Sequence, residues 1–159
     1  MRLAEESRER LERFFRSYER DETLRLPVVL VHAGFWSDGL TRFLRIAAIT
    51  VGRHIFVSRD AVRRNARGQL TMHGRLLAHE TAHARQFQQA GFLPFVYNYA
   101  REYVAFLVRR GKFDGRARFE AYEQITRERE AREVEAAYLK WSLNAPPPPG
   151  CRTTLEGEV

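Results

Sequence analysis

His79-Glu80-Thr81-Ala82-His83 spells H-E-x-x-H, a pattern whose parts work together only on an α-helix. Residues four apart on a helix share a face, about 40° apart in projection. Two imidazoles at that spacing can close on one small cation, at about 2.0–2.1 Å per bond for zinc. A glutamate one residue after the first histidine lies beside such an ion without ligating it. There it is placed to take a proton from water. The motif therefore demands a helix with one face turned toward a site, and further elements packed around it.

Five letters recur by chance in unrelated chains, so the neighbouring residues decide. Leu70–Ala90 is predicted to be helical: Leu76, Leu77, Ala84 and Phe87 supply apolar faces. No Pro or Gly interrupts it between Gly74 and Gly91, and Gly91 is a suitable C-terminal stop. His83 falls in a stripe with Leu76, Glu80 and Phe87 that should face inward.

A catalytic zinc site takes three protein ligands and keeps one position open. The charged segment Arg116–Trp141, predicted to be one long helix, offers six glutamates: Glu120, Glu123, Glu128, Glu130, Glu133 and Glu135. Glu128 shares its face with Ala121, Ile125, Ala131 and Leu139, and a carboxylate buried in an apolar stripe needs a partner. A metal would be one; Arg132 would be another. Glu130 and Glu133 lie on a more solvated face and stay as alternative third ligands. His83 and Glu128 are 45 positions apart, room for one helix and two loops.

The rest of the chain is organised around that pair of helices. The 159 residues are enough for one domain with a real core. Residues 1–143 are predicted to be that domain, with an N-terminal helix in 1–22 and a metal-site core in 24–137. The Pro-rich stretch 144–159 is predicted to be a flexible tail. Leu3–Arg20 places Leu11, Phe14, Phe15 and Tyr18 at helical spacing. Pro27–Ala33 is a short β-branched run, a predicted strand. Gly34–Gly39, with Trp36, is predicted to be a loop, and Thr41–Ile46 is ambiguous. Ala47–Ser58 is one long strand or a hairpin around Gly52-Arg53. Ser58 or Asp60 would cap a short helix over Ala61–Ala66, followed by a turn at Arg67-Gly68. Pro94 suits the first turn of a helix that starts near Gly91 and runs to about Arg110. It carries Phe95, Tyr99, Tyr103 and Phe106 on one face, and Gly111–Gly115 is a loop. The expected class is α+β: mostly helical, zincin-like, with a small β-sheet before the H-E-x-x-H helix.

Composition removes some function classes. Lys and Arg outnumber Asp and Glu by 27 to 20, a net charge of +7. No basic strand with interleaved aromatics accompanies that charge, so solvated helix faces are favoured over a nucleic-acid surface. The charged N-terminus shows no apolar signal region, and Phe92–Val108 is broken by Arg101 and Glu102. A cytoplasmic protein without a transmembrane segment is expected. Cys151, the single cysteine, rules out an internal disulfide.

Three segments resemble those of small bacterial zincins of the gluzincin type, in the DUF4157-like group. They are L-L-A-H-E-T-A-H-A-R-Q-F over Leu76–Phe87 with G-F-L-P-F after it, I-T-R-E-R-E-A-R over Ile125–Arg132, and I-T-V-G-R-H-I-F-V over Ile49–Val57. The resemblance spans roughly Ala47 to Ala137. It implies that the first Glu of the E-x-E-A motif, here Glu128, ligates zinc together with His79 and His83. Arg132 stands where such motifs commonly have an acidic residue, and a second E-x-E-A begins at Glu133.

The function expected is hydrolysis of a peptide or protein substrate through a zinc-activated water, with Glu80 as general base. The alternative is a non-catalytic zinc-binding module of a larger assembly. A metal-free helical protein, such as a nucleic-acid binder, is a third. The strand Ile49–Val57 is expected beside the site, where an extended peptide could add to its edge. Tyr97, Tyr99, Tyr103 and Tyr122 are candidate oxyanion donors. Asn98 and Arg101 are candidates for orienting neighbouring groups. His32, His54 and His73 lack ligand spacing and read as structural histidines.

Overall fold

The computed structural model describes residues 5–44, 46–64 and 70–145. Leu11, Phe14 and Phe15 recur on one face of the first helix, α1 (Glu5–Glu19), and all three are buried. Tyr18, in the same predicted stripe, is exposed but leans on the Phe14 ring. After α1 come β1 (Leu30–His32), α2 (Phe35–Leu44), β2 (Ala48–Val51) and β3 (His54–Val57). A 3-10 turn (Arg59–Ala61) then leads into β4 (Val62–Arg64) and β5 (Leu70–Met72). Four helices follow: α3 (Gly74–Ala90), α4 (Phe92–Arg110), α5 (Gly115–Gln124) and α6 (Thr126–Asn144). The fold is α+β and mostly helical, with a small sheet ahead of the motif helix.

The three-stranded sheet has the order β1-β3-β2, which leaves β2 at an edge. β2 and β3 are antiparallel and joined through Gly52, at φ 60°; β1 runs parallel to β3. Burial alternates along the strands, as period-2 geometry requires. Ala48, Ile55, Val57 and Val31 turn into the core and meet Leu77, Ala78 and Ala82 of α3. The other side of α3 packs along α6, against Ala131, Val134 and Tyr138. Gly74 permits this approach: a Cβ there would lie 2.5 Å from the Tyr138 hydroxyl oxygen. Leu107, Ala117 and Ala121 form a second, smaller cluster between α4 and α5.

Several expectations need correction. Gly34–Gly39 is not a loop, because Phe35–Leu44 is helical. Its Phe35 and Trp36 point outward, 75% and 87% exposed, while the polar Ser37 and Thr41 point inward. Ala61–Ala66 is not a helix: Val62–Arg64 pairs with Leu70–Met72, and residues 65–69, with the predicted turn, lie outside the described residues. The motif helix starts at Gly74 rather than Leu70, for the same pairing takes Leu70–Met72 into a strand. Arg116–Trp141 is two helices, not one. Ile125 breaks it with extended backbone (φ −61°, ψ 127°) and a fully buried side chain. The freed backbone groups find partners elsewhere. The Thr126 N–H donates to Glu102 Oε2 at 2.7 Å, and Arg132 donates to the Glu123 carbonyl. The predicted tail lies outside the described residues from position 146 on.

Candidate metal centre

α3 carries His79, Glu80 and His83 on the side turned toward β2 and α6. The break at Ile125 starts α6 anew, and Glu128 falls in its first turn, aimed back at α3. His79, His83 and Glu128 each offer a ligand atom within 4.8 Å of the others. His79 Nε2 and His83 Nε2 are 3.2 Å apart. Glu128 Oε2 is 3.5 Å from His79 Nε2, and its Oε1 is 3.4 Å from His83 Nε2. A tetrahedral site with bonds of about 2.0–2.1 Å has edges of about 3.3 Å. Each spacing is close to such an edge, although the two Glu128 distances run to different carboxylate oxygens, and the three side chains together could hold one metal ion.

The proton positions implied by the network support that fit. Gln86 donates from Nε2 to the Arg127 carbonyl at 3.1 Å and to Glu130 Oε2 at 2.9 Å. Its Oε1 is thereby left to accept from His83 Nδ1 at 2.9 Å. A proton on Nδ1 leaves the Nε2 lone pair facing the cluster. The Glu135 carboxylate lies 3.4 Å from His79 Nδ1, but that buried nitrogen makes no hydrogen bond. Two lone pairs 3.2 Å apart repel unless a proton or a metal cation lies between them. Glu128 Oε2 is buried and has no hydrogen-bond partner of its own.

The electrostatics also favour a cation. Burial alone would raise the Glu128 pKa, yet the two histidines hold its carboxyl well below the usual carboxylate range. Burial opposes charge on His83, but the Glu128 and Glu80 carboxylates push its pKa up. Burial pushes the Glu80 carboxyl up, against the pull of His83 and of a 2.6 Å hydrogen bond donated by Thr50 Oγ1 to Oε2. Burial and the Glu128 charge raise Tyr99 and Tyr122, so both stay protonated donors at neutral pH. The Tyr99 hydroxyl donates to Glu128 Oε1 at 3.0 Å.

The other predicted groups are distributed as follows. Glu130 holds Gln86 and Arg127 rather than facing the cluster, and Glu133 is exposed. Arg132 pairs with Glu123, not with Glu128. Tyr97 is exposed and Tyr103 packs in the α4–α5 cluster, so only Tyr99 and Tyr122 line the cleft above the site. Asn98 and Arg101 are not among the residues lining it. His32 and His54 bond to each other across β1 and β3 at 2.9 Å, and His73 precedes α3 at its N-cap. Two residues that matter here, Thr50 and Gln86, are not among the candidates that the sequence marks, whereas Glu135 is one of the six glutamates it offers. Gln86 carried a signal, since it lies three residues after His83 on the same helix. Glu135 lies beside His79 without a hydrogen bond to it. Arg75 holds the Glu135 carboxylate at 2.9 Å.

The model of the eCIS core domain matches residues 2–91, more than half of the chain. The matched span contains His79, Glu80 and His83 and ends before α4, so Glu128 lies outside it. No curated protein and no solved structure matches the chain significantly. Among the described residues no helix is long and apolar enough to cross a membrane.

Proposed function

The chain belongs to the eCIS core domain family, the DUF4157-like family, and on that premise we propose that it is a minimal zincin: a zinc-dependent metallopeptidase domain acting on a peptide or protein substrate. The observation that carries the reading is the convergence of His79 Nε2, His83 Nε2 and the Glu128 carboxylate within 3.2–3.5 Å of one another, with Glu80 beside them. His79, His83 and Glu128 would hold the ion, and Gln86 would fix the His83 tautomer behind it. Zinc bound there supplies a Lewis acid for a substrate carbonyl and lowers the pKa of its water.

The chain's own residues divide the remaining tasks. Thr50, donating to Glu80 Oε2, orients that carboxylate. Glu80 accepts a proton from water and passes it to the leaving amine. Burial raises its proton affinity above that of a free carboxylate, which suits a group that must both take and return a proton. β2 is an edge strand and lines the cleft through Ile49, Thr50 and Val51, so an extended peptide can pair with its backbone. Tyr122 lines the cleft and stays protonated, so it is the donor offered to a developing oxyanion, while the Tyr99 hydroxyl is taken by Glu128.

The test compares wild type with Glu80→Gln on a mixed peptide library, both zinc-loaded. Equal zinc content with cleavage lost by about a hundredfold or more is expected for the loss of a general base. Unchanged cleavage, or none by either protein, would remove the peptidase reading.

A second reading is a zinc-binding interaction module of a larger assembly that does not turn over substrate. The family's description as a core domain and the outer face of α4 favour it. Leu93, Tyr97, Val104 and Val108 stand 76%, 66%, 53% and 65% exposed at helical spacing, a face suited to a partner.

A further inference from the structure

The cleft above the cluster is apolar except at its floor. It encloses about 280 Å³, room for one large side chain and less than a drug-sized ligand takes. Phe95, Val96 and Ala100 of α4 form one wall, Ile49 of β2 another, and Phe87 of α3 lies between them. The aromatic rings make a continuous column. Phe92, half-exposed at the outer end, stacks on Phe87 with centroids 5.6 Å apart. Phe87 stacks on Phe95 at 3.8 Å, and Phe95 on Tyr99 at 6.0 Å. Tyr99 then donates to Glu128. No lysine or arginine is among the described residues lining the cleft, and its carboxylates are Glu80 and Glu128.

We infer that this cleft selects a bulky apolar side chain, aromatic or leucine-like, on the substrate residue beside the bond acted on, and rejects acidic ones. An aromatic ring entering the cleft packs against apolar walls and loses little, since the walls hold no polar group that would be left unpaired. An acidic side chain would shed its hydration among apolar walls that carry no lysine or arginine to pair with it. The word "substrate" rests on the peptidase reading; the selectivity of the cleft does not, because binding alone reports it.

Two measurements on the full zinc-loaded chain separate the two ideas. The first is equilibrium binding of the hydroxamates of phenylalanine, alanine and aspartate, which anchor on the metal and place their side chains in the cleft. The phenylalanine compound should bind about tenfold or more tighter than the alanine compound, the range expected for apolar groups in an apolar pocket, and the aspartate compound weakest. Ala100→Trp, which fills the cavity from an exposed position outside the metal cluster, should remove that preference while leaving zinc content and the alanine affinity unchanged. Val96→Ser, at the same wall, should weaken the preference if Ala100→Trp does not fold. Equal affinities, a preference for aspartate, unaltered selectivity in the folded variant, or no hydroxamate binding at all would each overturn the inference.

The second is the residue distribution at cut sites in a peptide library. Cleavage without enrichment of Phe, Leu, Tyr or Met beside the bond overturns the selectivity and leaves the peptidase reading standing. A binding preference without cleavage does the reverse.

Discussion

Gln86 joins three parts of the site through one side chain. Its amide nitrogen is spent on Arg127 and Glu130, and its oxygen therefore fixes the tautomer of His83. Replacing it with leucine should leave the fold intact and weaken zinc binding by about 10–100-fold, the usual cost of losing a partner behind a ligand. Competition with a chelating dye measures this, and affinity equal to wild type would show that the tautomer is set by other means. Glu128→Ala should cost more than either Glu130→Ala or Glu133→Ala in the same assay. A larger loss from Glu130 or Glu133 would move the third ligand. Thr50→Val removes the donor to Glu80 while keeping its shape. Zinc content should hold and kcat should fall, which distinguishes a positioning residue from a ligand. At this scale the sequence was most readable on α3, where helical spacing alone puts His79, Glu80 and His83 together. It was least readable for Thr50 and Glu135, because threonines and surface glutamates carry no mark of what they will meet.

The helix break at Ile125 is the element on which the centre depends. A continuous helix over Arg116–Trp141 would carry α5 and α6 as one rod. The break instead lets α6 pack along α3 while α5 packs on α4. No proline or glycine announces it, and the charged residues on either side read as uninterrupted helix. Burial of Ile125 and external partners for the freed backbone groups decide it, and both are tertiary. Ile125→Ala should destabilise the protein by about 2–5 kcal/mol, the range for truncating a buried aliphatic side chain. Zinc affinity should fall with it, since Glu128 takes its position from the start of α6; denaturant unfolding and metal competition on the same variant check both. Gly74→Ala tests the other end of the α3–α6 contact. The added methyl overlaps the Tyr138 ring, itself packed edge-on against Phe14. About 1–3 kcal/mol should be lost, as for other overpacked sites. A neutral or stabilising change would mean that Tyr138 yields freely.

For the whole molecule, the metal cluster lies between the sheet, α3 and α6, so occupancy and global stability should be linked. Zinc at a hundred times its Kd should add about 2.7 kcal/mol to stability. For a chain of this size that corresponds to about 5–10 °C in Tm. Thermal melts with and without zinc measure it, with His79→Ala and His83→Ala as controls that should not respond. By itself the sequence determined what depends on local spacing: the α+β class, the helical setting of H-E-T-A-H, the start of α4 near Pro94, and Glu128 as a carboxylate too embedded in apolar residues to stand alone. Periodicity of 3.6 or 2 residues carries that information without reference to the rest of the chain. The sequence left one long strand and a hairpin at Gly52 as alternatives, and the β2–β3 pairing decides for the hairpin. Tertiary structure alone decided that α2 is a helix whose Phe35 and Trp36 point outward, that Leu70–Met72 leaves the motif helix to pair with β4, and that one helix becomes two at Ile125. It also decided which glutamate faces the histidines. Each of these turns on a neighbour distant in sequence, whose burial or hydrogen bond outweighs the local preference.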